Sequence, residues 1–217
     1  MQRPLVIGVF VGGRSLRMGG RPKGLLPSPE GPTLVERAVT EASQMAGEGA
    51  PPRVVLVGDR GDYAGVCGAC PRVGDDPRVQ GPLGGFLGLL GWAAEQGAER
   101  VVCVACDQPR VDAAALGAVV PAAGEVGRAA RGEGGYWEPF PSGWWVAAVL
   151  ARWPERARAW QGLIAHLGAT PVRLPREAWG DWDTPADLAS PEERVDPGGV
   201  QVPAELAYGP LVGAKKA

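Results

Sequence analysis

Apolar residues in this chain gather in short unbroken runs, separated by stretches in which they recur at helical spacing. Leu5-Val6-Ile7-Gly8-Val9-Phe10-Val11, Arg53-Val54-Val55-Leu56-Val57 and Arg100 to Cys106 are runs of the first kind, the mark of strands buried on both faces. Between the first two, Thr33-Leu34-Val35-Glu36 is a capping-box signature, and Leu34, Val35, Ala38, Val39 and Ala42 follow it at the period of an amphipathic helix. Gly81 to Gly97 predicts a second helix, relaxed by several glycines. The alternation of strand and helix predicts an α/β protein with a mostly parallel sheet and helices on both faces, whose ligands collect at the carboxyl ends of the strands.

Further along, Asp112 is a plausible N-cap for a short helix running to Val120, and Pro121 to Gly143 has no period and predicts a long loop. Trp144 to Leu150 predicts a strand, Pro154 to Leu167 a helix and Thr170 to Leu174 a short strand. Seven of the eight tryptophans lie between 137 and 182, where they predict packing rather than a ligand platform. Residues 1–193 are expected to form one domain and residues 194–217 a Pro- and Gly-rich extension.

Composition narrows the function classes. A formal net charge of −2 and a pI near 5.6 leave no basic stripe for nucleic acid beyond the first loop. No apolar stretch approaches the ~20 residues of a membrane span, so a cytoplasmic location is expected. The four cysteines form the pairs Cys67/Cys70 and Cys103/Cys106; residues three apart on a strand face opposite ways, so Cys103 and Cys106 are expected as buried thiols and Cys67 and Cys70 as loop thiols, not as a zinc site or disulfides.

The chemistry concentrates where the first strand ends. Gly12 to Lys23 holds four glycines together with Arg14, Arg17, Arg21 and Lys23, and no acid occurs before Glu30. Glycine lets backbone N–H groups turn toward an anion, and the cations match a polyphosphate. The loop is neither a Walker A motif, since no hydroxyl residue follows Lys23, nor a G-x-G-x-x-G fingerprint. At the end of the 100–106 strand, Asp107 is placed to bind Mg²⁺ arriving with a nucleoside triphosphate, which needs only one or two protein carboxylates. His166, the lone histidine, predicts a surface or packing role.

G-G-R-S-L-R-M-G-G-R-P-K-G-L-L at 12–26, D-D-P-R-V-Q-G-P-L-G-G at 75–85, C-D-Q-P at 106–109 and D-W-D-T-P-A-D-L at 181–188 together resemble the molybdenum cofactor guanylyltransferases, in the order found there. The resemblance covers nearly the whole chain to Leu188. It implies a Rossmann-like three-layer sandwich of the nucleotide-diphospho-sugar transferase kind, and transfer of GMP from GTP to the phosphate of molybdopterin with release of pyrophosphate. It implies Mg²⁺ as cofactor, and GTP, molybdopterin and other molybdenum cofactor biosynthesis proteins as partners. Phe10, Val11, Gly12 and Gly13 then fall on the nucleotide-binding L-A-G-G pattern, and Lys23 and Arg17 on the cations that neutralise the triphosphate. Asp75, with Asp76 beside it, and Gly81 fall on the segment lining the guanine pocket, where a carboxylate accepts hydrogen bonds from guanine N1–H and N2–H₂. Asp107 falls on the metal-binding aspartate. Asp181 and Asp183 stand where the family has two asparagines at the acceptor end, and Val11 and Val57 also depart from its pattern. A molybdopterin cytidylyltransferase or another phospho-ligand nucleotidyltransferase of the same fold, and a non-catalytic GTP-binding cofactor-delivery protein, are the alternative readings.

Overall fold

A computed structural model describes residues 4–13, 20–28, 32–45, 51–68, 70–132, 134–154, 158–178 and 180–182. The strands are β1 (Leu5–Phe10), β2 (Arg53–Val57), β3 (Arg72–Val73), β4 (Arg100–Ala105), β5 (Gly127–Arg131), β6 (Trp137–Trp145) and β7 (Thr170–Val172). They form one sheet in the order β3-β2-β1-β4-β6-β5-β7. β3, β2, β1 and β4 are mutually parallel, β6 is antiparallel to β4 and to β5, and β7 is parallel to β5. The helices are α1 (Leu34–Ser43), α2 (Pro82–Glu95), α3 (Ala113–Ala118), α4 (Val146–Ala151) and α5 (Trp160–Leu167).

Alternate residues of the central strands feed two cores. Val6, Phe10, Val55, Val57, Val101 and Cys103 pack with α2, α4 and α5, whereas Ile7, Val9, Leu56, Val102, Val104 and Cys106 pack with α1 and α3. Strands apolar at every position are thus covered twice, and the α/β sandwich expected from the sequence is formed. The Thr33–Glu36 capping box and the Asp112 N-cap are both present.

The second half departs from expectation. Residues 121–143 are not a long loop: they contain β5 and most of β6, a hairpin that extends the sheet beyond β4. Its glycines are packing positions. A Cβ on Gly127 would enter the Trp144 ring, and one on Gly143 would strike the Val119 carbonyl, so residues that read as loop formers are what lets the backbone lie flat here. The strand expected over 144–150 ends at Trp145, where α4 begins, and the helix expected from Pro154 starts at Trp160. The strand from Thr170 stops at Val172. The 193/194 boundary and the C-terminal extension lie outside the described residues. Among the described residues no helix is long and apolar enough to cross a membrane.

Candidate active site

β1, β2, β3 and β4 end on one edge of the sheet, and the sequence-predicted residues follow those ends. After Phe10, Val11 is buried and Gly12 and Gly13 are exposed, with Gly13 at φ 107°. Arg17 lies in 14–19, outside the described residues, and the chain resumes at Gly20. Both stems of this loop are held by a side chain that motif reading missed. Arg60, just beyond β2, donates from Nη1 to the Gly13 carbonyl at 2.6 Å and from Nη2 to the Gly20 carbonyl at 3.4 Å. Its own position is fixed by Asp62 at 3.0 Å and by Arg72, which donates to the Arg60 carbonyl. A single arginine in G-D-R-G carries no motif; its signal is topological, since residues following a parallel neighbour of β1 must face the same edge. Arg60→Ala is expected to weaken nucleoside triphosphate binding about tenfold, the worth of a charged donor to backbone carbonyls. Calorimetric titration should show this with little change in Tm; unchanged affinity would contradict it.

Lys23 stands in a 3-10 turn whose next residue, Gly24, donates its N–H to the buried Tyr63 hydroxyl at 3.1 Å. A Cβ at 24 would lie 2.9 Å from the Tyr63 ring, so glycine permits this close seat. Burial raises the Tyr63 phenol well above its ordinary value, which keeps it a neutral acceptor. The turn aims Lys23 Nζ at Asp107 Oδ2, 2.9 Å away, with both side chains largely shielded. Asp107 is held in turn by the β1–β4 pairing, which runs one bond past the strands as Cys106 N–H donates to the Phe10 carbonyl at 3.1 Å. The Trp182 N–H donates to the Asp107 carbonyl at 2.9 Å, and Trp182 packs against Leu26 and Leu34. The C-terminal motif is therefore brought to the same turn, with Asp181 beside it; Asp183 lies outside the described residues.

The loop from β3 to α2 supplies the third wall. Asp76 is committed to Arg78, at 2.7 Å, and that contact holds its carboxyl below the usual range. Asp75 has no cationic partner among the described residues, and burial, with Asp59 nearby, raises its carboxyl. A Cβ on Gly85 would lie 3.1 Å from both Asp75 Oδ1 and the Phe10 ring, which locates this carboxylate between β1 and α2. Gly81 is the N-cap of α2 at φ 69°, and Pro82 opens the helix.

Asp107 suits a divalent cation that keeps several waters: one carboxylate, one oxygen paired with Lys23, the other without a hydrogen-bond partner among the described residues. Cys103 and Cys106 are buried thiols on opposite faces, as expected, and burial keeps both protonated. Cys67 and Cys70 differ from expectation. They are joined as a disulfide, because Cys67 adopts φ 62° and the tight turn brings the two Cα atoms to 5.5 Å. His166 is exposed, its ring 3.1 Å from the Arg152 carbonyl, on the C-terminal turn of α5 and so at the opposite edge of the sheet.

Comparison with known proteins agrees with this layout. Residues 7–170 match the MobA-like NTP transferase domain. A molybdenum cofactor guanylyltransferase of Cereibacter sphaeroides is 32% identical over 194 residues, covering 85% of this chain and 93% of its own. One from Pseudomonas entomophila is 33% identical over 174 residues, covering 76% and 83%. A nucleotidyl transferase structure from Methanothermobacter thermautotroptrophicus shares the fold with a TM-score of 0.62 at 22% identity, over 85% of this chain and 94% of its own. The 4-diphosphocytidyl-2C-methyl-D-erythritol synthase of Anaerococcus prevotii does so with a TM-score of 0.60 at 12% identity, over 85% and 94%. Because the family match runs from within β1 to the first residue of β7, and takes in every strand end that carries a candidate site residue, the chain belongs to the MobA-like NTP transferase family and is a nucleotidyltransferase.

Proposed function

We propose that this protein transfers GMP from GTP to the phosphate of molybdopterin, releasing pyrophosphate and forming the guanine dinucleotide. The observation that carries the reading is the Lys23–Asp107 pair at the meeting of the glycine-rich loop and the end of β4, a cation and a carboxylate poised for a metal–triphosphate. The relatives named as molybdenum cofactor guanylyltransferases supply the substrates.

In this reaction an acceptor phosphate oxygen attacks the α-phosphorus in line; the new O–P bond forms as the bond to the bridging oxygen of pyrophosphate breaks. The acceptor is already ionised, so no general base is required, and alignment with charge neutralisation carries the rate. Asp107 is the residue that would hold a divalent cation such as Mg²⁺, which when bound would supply positive charge at the reacting phosphate. Lys23 exchanges its carboxylate partner for phosphate oxygens, and Arg17 is assigned the same work by its place in the loop. Backbone N–H groups of Gly12 and Gly13 meet the nucleotide, in a stem that Arg60 fixes. Val11 and Phe10 form its floor, both buried. Asp75 accepts from guanine N1–H and N2–H₂ beside Gly81, and Asp181 and Asp183 are assigned to the acceptor by their place in the sequence motif.

Mg²⁺-dependent pyrophosphate release, measured with GTP, CTP, ATP and UTP with and without molybdopterin, tests this. GTP is expected to be preferred by about 100-fold or more, the discrimination that two well-placed hydrogen bonds supply. Preference for CTP would assign a cytidylyl transfer instead, and tight GTP binding without release would leave a non-catalytic carrier.

A further inference from the structure

The site divides along the sheet. Asp75 and the glycine-rich loop follow β3 and β1, and Gly81 caps the start of α2, so the proposed reaction assigns the nucleotide to the β3-β2-β1 half. Attack in line with departing pyrophosphate brings the acceptor in over the other side of Asp107, where β6 is the next strand. The β4–β6 pairing ends at Cys103 and Ser142; beyond it Gln108, next to Asp107, reaches the Phe140 carbonyl, which brings the Glu138–Phe140 segment beside the turn that bears Asp107.

Glu138 is a half-buried carboxylate with no hydrogen-bonding or charged partner among the described residues, and burial alone raises its carboxyl. The backbone on either side of it is pinned. Gln161 of α5 accepts the Trp137 N–H at 2.9 Å and donates to the Trp137 carbonyl. Gln108, next to Asp107, donates to the Phe140 carbonyl at 2.8 Å while accepting from the Ala105 N–H at 3.3 Å. On the core side the Trp160 ring meets Phe140 edge-on, with centroids 5.6 Å apart, and seats this part of β6. An unsatisfied carboxylate, half-exposed on a pinned backbone beside the turn that bears Asp107, calls for a ligand bearing complementary donors.

We infer that Glu138 is a specificity-determining residue for the acceptor, accepting the N–H and NH₂ donors of a 2-amino-4-oxopteridine edge at the carboxyl-end corner of β6. This rests on the guanylyltransferase reading. Guanine bears the same donor edge, but Asp75 lies on the nucleotide half and Glu138 on the acceptor half.

The test is steady-state kinetics of Glu138→Gln and Glu138→Asp with GTP and molybdopterin varied separately. Glu138→Gln keeps the shape and loses the second acceptor oxygen; since Glu138 has no partner among the described residues, its Tm should stay at the wild-type value. Its KM for molybdopterin is expected to rise about tenfold or more, the loss of a charge-assisted bidentate contact, with KM for GTP unchanged. Glu138→Asp should recover part of the loss. A phosphate-free 2-amino-4-oxopteridine should inhibit wild type competitively against molybdopterin and should inhibit Glu138→Gln about tenfold less. An unchanged acceptor KM, or a rise in KM for GTP instead, would overturn the inference. Absence of transfer by the wild-type protein would overturn the guanylyltransferase reading itself, and this assignment with it.

Discussion

Asp107→Ala is expected to lower pyrophosphate release from GTP by roughly 10³-fold or more while leaving GTP bound, because the group removed acts at the reacting phosphate rather than along the nucleotide. In the proposed reaction GTP is gripped by the loop whose stems Arg60 ties together, and neither of those Arg60 bonds passes through Asp107. Asp107 holds its place through backbone bonds, Cys106 N–H to the Phe10 carbonyl and Trp182 N–H to its own carbonyl, which alanine retains. The loss should therefore fall on kcat. Asp107→Asn sharpens the test, since the amide oxygen still accepts from Lys23 Nζ, now at 2.9 Å from Oδ2, and the charge alone is lost. Rapid-quench measurement with saturating GTP and Mg²⁺ reads the chemical step directly; full activity in either variant would remove Asp107 from the metal site.

Much of this site was legible because it rests on two patterns with strong physical causes. A strand buried on both faces must be apolar throughout, so β1, β2 and β4 announced themselves, and whatever follows their carboxyl ends shares one edge. That logic located Gly12, Gly13 and Asp107 and, through the loop turn, Lys23. It failed where side-chain pattern is replaced by backbone contact. β5 is Gly-Arg-Ala-Ala-Arg, with too little apolar bulk to read as a strand, and it forms because Gly127 lets Trp144 pack across it. Arg60 and Glu138 act through tertiary position alone, and no spacing in the sequence marks either.

The glycines of α2 show the same limit, and they give the largest expected effect on stability. In sequence they weaken a helix; in the structure they form a face. A Cβ on Gly84 would strike the Val79 carbonyl, and one on Gly88, a turn later, the Gly74 carbonyl. Those carbonyls bracket the loop that carries Asp75, and Asp76 N–H donates to the Gly84 carbonyl at 2.9 Å to close the contact. Gly88→Ala forces backbone against backbone, where no rotamer can yield, and is expected to cost about 2–3 kcal/mol. For a chain of this size that lowers Tm by roughly 4–12 °C. If the loop shifts rather than the helix, Asp75 moves with it and KM for GTP rises as well. Gly91, on the same helix, has open space where its Cβ would go. Gly91→Ala should gain up to about 1 kcal/mol from helix propensity. Thermal unfolding of the two variants side by side separates a general intolerance of α2 from the close approach of the loop: equal Tm values would mean that Gly88 is not packed against Gly74, and a fall confined to Gly88→Ala is what this packing requires.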